Sequence, residues 1–284
     1  MGAISSLFGY LLNALYSVFN NYGIAIIVFS IILRIILIPI TIKQQKSLKK
    51  SAQLQEEMKE IQRKYKNNPE KLNQETIELY KREKMSPFAG CFSSIIQLVI
   101  ILSVFWLVSQ PLTYMKRIDA NVINDYKTQL QQEGSLSGYA EIEIINRYGT
   151  QDERVHLNMD FLGLDLSKVP SNNLNDWRVY IIPLLYVVSS VISIRITNNF
   201  NKKKKEEPKV ITDGTNPKEE PSELEAMEAM NKNMMYMMPL MSVFIAFIAP
   251  LGLALYWFIS NILIIIEKLI IDTVIKHKEE KENA

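Results

Sequence analysis

An apolar segment that covers residues 23–42 constrains the fold of this chain more than any other feature. Its sequence, GIAIIVFSIILRIILIPITI, contains one charged residue, Arg34, and one proline, Pro39. As a helix with a rise of about 1.5 Å per residue it would be roughly 30 Å long, which matches the hydrocarbon core of a bilayer. The segment therefore predicts a transmembrane helix in a membrane protein.

Arg34 lies deep within this predicted helix, eleven residues after Gly23 and eight before Ile42. A charge at such a depth costs about 2.5 kcal/mol or more, and it usually faces a protein interior or a water-filled cavity. The alternative is that the side chain extends to the nearer membrane face and has no function. The other apolar segments contain no carboxylate before Glu267, at the far end of the last one. We therefore expect Arg34 to lack an intramembrane partner and to meet water, lipid headgroups or an acidic binding partner.

The cysteine count and the absence of familiar motifs exclude several classes of enzyme. The single cysteine, Cys91, excludes an intrachain disulfide and a zinc site built on cysteines. The sequence contains no GxGxxG, GxxxxGK[ST], HExxH or GxSxG motif, so no nucleotide-binding or hydrolytic site is indicated. We predict that the protein is not an enzyme, that it needs no cofactor or metal, and that it has no evident nucleic-acid site.

Alternating apolar and charged blocks divide the chain into segments and predict an all-α polytopic membrane protein with five transmembrane helices. In order, the segments are an interfacial amphipathic helix (1–22), the first span (23–42), a cytoplasmic helical hairpin (43–85), the second span (87–110), an extracellular loop (111–177), the third span (179–197), a flexible cytoplasmic connector (198–233), the fourth span (234–249), the fifth span (251–271) and a cytoplasmic tail (272–284).

The N-terminal segment, residues 1–22, has no ionisable side chain, and its apolar residues recur at helical spacing. This pattern predicts a helix that lies in the membrane interface, although the basic face common in such helices is absent. A cleaved signal peptide is the alternative. The segment lacks a basic start and a clear small-residue cleavage site, so we expect the helix to be retained.

The block of residues 43–85 is water-soluble, with 12 Lys/Arg against 7 Asp/Glu. Its apolar residues form two stripes separated by a turn signal at residues 67–69, which predicts an antiparallel helical hairpin. The alternative is a solvated charged arm without a function. The first stripe, which we predict to contact substrates or partners, consists of Leu54, Met58, Ile61 and Tyr65.

The second and third spans contain polar residues that suggest a shared polar zone at the depth of Arg34. Gln97 follows several small residues in the second span, where a helix neighbour could approach closely. Ser189, Ser190 and Ser193 form a modest polar stripe in the third span. Each residue alone is more often a packing residue than a functional one.

The fourth span is rich in methionine. Thioether side chains adapt to different apolar partners, and they are also common in ordinary packing. We predict an apolar surface along which a substrate slides, formed by Met237, Met238 and Met241.

The polar loop of residues 111–177 carries 6 Lys/Arg and 10 Asp/Glu. The stretches QQEGSLSG and RYGT predict turns, and the alternation in EIEII, residues 141–145, predicts a short strand. We find no catalytic constellation in this loop.

Lysine and arginine clusters near the ends of the spans predict the topology. The clusters follow the first span, precede the second, follow the third and flank the end of the fifth. With five spans, all of them lie on one side, which the positive-inside rule assigns to the cytoplasm. The N-terminus is then outside, the C-terminus is cytoplasmic, and Arg34 lies in the cytoplasmic half of its span.

Several stretches together resemble the YidC-type branch of the YidC/Oxa/Alb family of membrane protein insertases. The resemblance implies five helices around a hydrophilic groove that opens to the cytoplasm and the lipid and is closed on the outer side. No large domain precedes the first span, so the chain resembles the short form found in the plasma membrane of single-membrane bacteria. The matching stretches are YGIAIIVFSIILRIILIPITIKQQKSL, LQEEMKEIQRKYKNNPEKLNQETIELYK, SPFAGCFSSIIQL, MMYMMPLMS and PLGLALYWFISN.

The resemblance also assigns residues to the groove. Arg34 matches the groove arginine of the family, Gln97 a groove-facing glutamine, and Trp257, next to Tyr256, an aromatic position of the last span. Ser193 stands where many bacterial members carry glutamine, so a polar contact there is in doubt.

The implied partners are newly made membrane proteins and the lipid bilayer, with the ribosome and the Sec translocon as further candidates. Two other functions stay open on the residues alone. One is a channel or secondary transporter that uses Arg34 as an ion site, against which the missing charged partner argues. The other is a receptor whose outer loop binds a ligand. With the resemblance, the insertase is our preferred interpretation.

Overall fold

The computed structural model describes residues 2–65, 68–83, 89–203, 241 and 243–282. Regular structure in this part of the chain is almost entirely helical, apart from one short β-hairpin. The elements are α1 (Gly2–Phe19), α2 (Tyr22–Lys64), α3 (Pro69–Arg82), α4 (Ala89–Ser109), a π-helical turn (Leu112–Lys116), α5 (Ala120–Gln132), α6 (Ala140–Tyr148), β1 (Asp160–Phe161), β2 (Leu164–Asp165), two 3-10 turns (Pro170–Asn172 and Trp177–Tyr180), α7 (Ile181–Lys203), α8 (residues 243–248) and α9 (Leu251–Glu282).

Four of the described helical segments are long and apolar enough to cross a membrane: Gly2–Phe19, Tyr22–Gln44, Trp177–Ile196 and Leu251–Ile271. The predicted class, an all-α protein that crosses the membrane several times, is confirmed. The number of five spans stays a prediction, because most of the fourth span lies outside the described residues. The interfacial placement of residues 1–22 also stays a prediction, since α1 is itself long enough to span.

Three boundaries differ from the prediction. Helix α2 continues from the first span through Pro39 to Lys64 without a break. Helices α7 and α9 likewise continue past residues 197 and 271, into the predicted connector and tail. Polar residues at these positions favour water but do not end a helix, because Lys, Glu and Gln have good helix propensity. The rest of the connector, residues 204–233, lies outside the described part.

The chain forms two compact units, Met1–Ile35 with Ser103–Ala284, and Ile36–Leu102. In the second unit, the later part of α2 and α3 form an antiparallel pair. Tyr65 Oη donates to Glu75 Oε1 at 3.2 Å, and Thr76 Oγ1 donates to Met58 Sδ at 3.6 Å. Leu54, Met58 and Leu79 are buried, so apolar contacts as well as polar ones join the two helices.

In the first unit, α1 packs closely on the π-helical turn. Its buried residues, Ser5, Gly9 and Leu12, recur at helical spacing on one face. Ser5 Oγ donates to Ser103 O at 3.0 Å, and a Cβ on Gly9 would lie 1.9 Å from Tyr114 O. The close approach therefore requires glycine at position 9.

The predicted strand at residues 141–145 is wrong, because these residues belong to α6. In the helix, Ile142 and Ile145 lie on one face, and Ile144 is also buried. Glu141 points inward as well, where its carboxylate accepts hydrogen bonds from Thr113 N, at 3.0 Å, and Thr113 Oγ1. Burial raises the pKa of Glu141, which these hydrogen bonds oppose. The alternation of Glu and Ile thus does not separate an inner from an outer face.

The region of residues 111–177 is hydrogen-bonded to the first residues of two long helices. Tyr22 N, at the start of α2, donates to Asn158 O at 2.9 Å. Leu251 N, at the start of α9, donates to Lys168 O at 2.9 Å, and the next amide donates to Leu166 O. Amides in the first turn of a helix have no partner within the helix, so these contacts satisfy them and fix both helix starts to one region.

The β-hairpin has a two-residue turn in which Leu162 and Gly163 have φ values of 54° and 77°. This left-handed conformation costs a leucine about 1 kcal/mol or more. Leu162 is 87% exposed, so little packing offsets the cost. We expect Leu162→Asn, which creates the favoured Asn-Gly turn, to raise the free energy of unfolding by about 0.5 to 1 kcal/mol. Thermal unfolding in detergent would measure this change. Leu174→Asn, at an exposed leucine without positive φ, is the control and should have no such effect.

Asp176 precedes the helical segment that starts at Trp177 and accepts hydrogen bonds from Lys168 Nζ at 2.9 Å and Arg178 Nε at 3.1 Å. These hydrogen bonds lower the pKa of Asp176 from 3.8 to about 2. The stabilisation is complete above the ordinary pKa and is lost as the pH falls towards 2. We expect the difference in unfolding midpoint between wild type and Asp176→Asn to shrink between pH 6 and pH 2.5. A constant difference would contradict this assignment.

Candidate functional site around Arg34

Arg34 forms an ion pair with Glu267, which corrects the expectation that it has no intramembrane partner. Arg34 Nη2 contacts Glu267 Oε2, and the two side chains are 18% and 6% exposed. Arg34 extends from the first third of α2, and Glu267 from near the middle of α9. The guanidinium is thus neutralised within the protein.

In the sequence, Glu267 lies at the far end of the last apolar segment, so Arg34 was not expected to pair with it. The helical periodicity of the last span does indicate that Glu267 faces the site. Tyr256, Ser260 and Glu267 follow one another at spacings of four and seven residues, so they lie on one face of α9. Because Tyr256 was already a site candidate, the same face brings Glu267 towards the site.

The surroundings of the ion pair contain further polar groups. A hydrogen bond joins Tyr256 to Ser260, and the charge of Arg34 acts on both Tyr256 and Lys268. One turn before Arg34, the buried Ser30 donates from Oγ to Ile26 O at 2.7 Å. The pair therefore lies in a partly polar environment between apolar helices.

A second polar cluster joins α7 to α9, and it includes Asn261, which is not among the residues predicted from the sequence. Asn261 Nδ2 donates to Ser189 Oγ and to Ser190 Oγ, each at 3.1 Å. Asn261 lies one turn after Trp257, whose ring centroid is 6.3 Å from that of Tyr186. The spacing of four residues from an already selected aromatic position would have identified Asn261.

The structure describes only some of the other candidate residues. Ser193 is half-buried on α7, and Trp257 is half-buried on α9. The side chain of Gln97, together with Met237 and Met238, lies outside what the structure describes. Met241 is 59% exposed, and its role in an apolar surface stays a prediction.

The four hairpin residues that were predicted to contact substrates lie wholly or partly between the two helices of the hairpin. Leu54 and Met58 are buried, and Ile61 and Tyr65 are half-buried. Contact of Leu54 or Met58 with a partner would require the hairpin to open, and it stays a prediction.

Comparison with known proteins identifies the family of the chain. The sequence model of the family described as 60Kd inner membrane protein matches residues 14–280. The chain belongs to this family. Its multi-pass membrane localisation agrees with the family description and with the four long apolar helical segments.

Bacterial relatives named membrane protein insertase YidC are similar to parts or most of the chain. The protein of Treponema denticola is 26% identical over 94% of this chain and 37% of its own length. Those of Caldanaerobacter subterraneus subsp. tengcongensis and Fusobacterium nucleatum subsp. nucleatum are 39% and 42% identical over 37% and 34% of this chain. These two alignments cover 51% and 47% of the relatives. The chain thus matches about a third to a half of the length of these relatives.

Proposed function

We propose that this chain is a membrane protein insertase that also helps its substrates to fold. The observation that carries the proposal is the guanidinium of Arg34 inside an apolar helix, in a chain that the family model matches over residues 14–280. The similarity to bacterial proteins named membrane protein insertase YidC supports the same function.

In this proposal, five spans surround a hydrophilic groove that is open to the cytoplasm and the lipid. Arg34, Gln97, Ser193, Tyr256 and Trp257 line the groove. The N-terminus is outside and the C-terminus is cytoplasmic, since the basic clusters of the sequence then all face the cytoplasm.

The groove receives the hydrophilic tail or loop of a substrate. A tail that carries Asp or Glu is attracted to Arg34, and the low dielectric of the surroundings strengthens this attraction relative to bulk water. The apolar segment of the substrate then moves along the helices into lipid, past Met237, Met238 and Met241. Burial of roughly 20 apolar residues drives this step, so no nucleotide, metal or cofactor is required.

The proposed partners follow from this mechanism. Newly made membrane proteins are the substrates, and the bilayer receives them. The basic hairpin of residues 43–85 is a candidate first contact for substrates, for the ribosome and for the Sec translocon.

The channel or transporter function is not favoured, although one argument against it has changed. Arg34 does have a charged partner, Glu267, so the absence of a partner no longer counts against a relay. Membership of the 60Kd inner membrane protein family now argues against the transporter.

Reconstitution in liposomes tests the insertase. A purified single-span substrate with an acidic tail would be added to liposomes with wild type, Arg34→Ala or Arg34→Lys, and protease protection of the tail would report insertion. We expect insertion to require the protein, to proceed without nucleotide, and to decrease more for Ala than for Lys. Insertion no greater than into empty liposomes, combined with saturable ion flux, would favour the transporter instead.

A further inference from the structure

The ion pair of Arg34 leaves buried polar atoms of both side chains without hydrogen bonds to the part of the chain that the structure describes. Arg34 Nε and Glu267 Oε1 are buried and have no hydrogen-bond partner among the described residues. A guanidinium has five N–H donors, and a carboxylate accepts up to about four hydrogen bonds. A buried ion pair offsets the loss of hydration only when further hydrogen bonds satisfy both groups. The pair therefore fits an exchangeable contact better than a permanent link between helices.

The charge of Glu267 opposes the attraction of Arg34 for an anion from outside. Arg34 is positive and Glu267 is negative, so the pair has a formal charge of zero. The guanidinium of Arg34 attracts an entering carboxylate, and the carboxylate of Glu267 repels it. Without the carboxylate of Glu267 the pair would have a formal charge of +1.

No other acidic residue of the spans can take the place of Glu267. The sequence of the candidate spans Tyr22–Gln44, Trp177–Ile196 and Leu251–Ile271 contains one carboxylate, that of Glu267. Glu267 is therefore the one side chain of these three spans that can serve as a counter-ion for Arg34.

We propose that Glu267 determines substrate specificity as the internal counter-ion of Arg34. An acidic segment that enters the site has to displace Glu267 from the guanidinium or share the guanidinium with it. The repulsion between the two carboxylates weakens the binding of acidic segments and speeds their release, whereas neutral segments are unaffected. This inference rests on the proposed insertase function.

Two substrates that differ only in the tail test the inference, one with three Asp and one with three Asn. Initial rates of insertion at limiting substrate would be measured in liposomes with wild type, Glu267→Gln and Glu153→Gln, the last at an exposed carboxylate of the 111–177 region. The readout is the ratio of the acidic rate to the neutral rate. We expect Glu267→Gln to raise this ratio roughly three- to tenfold and Glu153→Gln to leave it unchanged.

The double variant Arg34→Ala/Glu267→Gln tests whether Glu267 acts through Arg34 or through a general effect of its charge. If Glu267 acts through Arg34, the ratio of the acidic to the neutral rate should return to about one. If Glu267→Gln does not fold, Glu267→Asp keeps the charge with a shorter reach and should raise the ratio by a smaller factor. An equal ratio in wild type and Glu267→Gln, with both substrates inserted, would overturn the counter-ion role alone. Failure of wild type to insert either substrate would overturn the proposed function itself.

Discussion

Arg34→Ala is expected to lower the free energy of unfolding by about 3 to 5 kcal/mol, apart from any loss of insertion. The change leaves the carboxylate of Glu267, which is 6% exposed, without its partner. Breaking a buried ion pair by removing one partner has an effect of about this size, because the remaining charge is uncompensated. Thermal and denaturant unfolding in detergent, followed by circular dichroism, would measure it.

The matched control for Arg34→Ala is Arg34→Ala/Glu267→Gln. Removal of the second charge should restore most of the lost stability, since a neutral amide is less costly to bury than a carboxylate. If the double variant is as unstable as the single one, packing of the arginine side chain rather than its charge holds the two helices together. Comparison of stability with insertion rate then separates the structural role of Arg34 from its role towards substrates.

Gly9→Ala is expected to destabilise the protein by about 3 kcal/mol and to release α1 from the π-helical turn. Alanine in a helix interior is normally favourable by about 1 kcal/mol relative to glycine, so propensity predicts the opposite sign. The added Cβ would lie 1.9 Å from Tyr114 O, and a backbone atom cannot move aside as a side chain can. Thermal unfolding and hydrogen exchange of the α1 amides would record the effect.

Gly138→Ala is the control for this change, because a Cβ at Gly138 has no atom within 4 Å and its backbone is not in a positive-φ conformation. It should leave the unfolding midpoint and the exchange of α1 nearly unchanged. A stability of Gly9→Ala equal to that of wild type would show that α1 is not held against the π-helical turn in solution.

The sequence predicts the helices well where one strong physical requirement acts on many residues. A bilayer of fixed thickness demands about 20 apolar residues, and this demand selects the spans that begin at Tyr22, Trp177 and Leu251. The ends of these helices were predicted less well, because nothing in water stops a helix of Lys, Glu and Gln at the membrane surface.

The candidate site was predicted in part for a related reason. Arg34 is conspicuous because an isolated charge in an apolar segment is costly. Glu267 is not conspicuous in the sequence. It is followed by Lys268 near the end of its span, so it resembles a residue at the membrane surface. Which side chains meet depends on how α2 and α9 pack, and that long-range information is absent from local pattern. The helix at residues 141–145 shows the same limit, since its inward glutamate is explained only by the distant Thr113.

The hydrogen bonds that fix the starts of α2 and α9 to the 111–177 region have a mechanical consequence. If two helices are fixed at their first residues and tilt apart, the distance between them grows with the distance from those residues. Arg34 is twelve residues from Tyr22, and Glu267 is sixteen residues from Leu251. These intervals correspond to about 18 and 24 Å along the helices. A tilt of about 5° at the pinned ends would move the two charged groups apart by roughly 2 Å, whereas the anchoring hydrogen bonds would hardly lengthen. The ion pair is therefore much more sensitive to splaying of the two helices than the hydrogen bonds at their starts are.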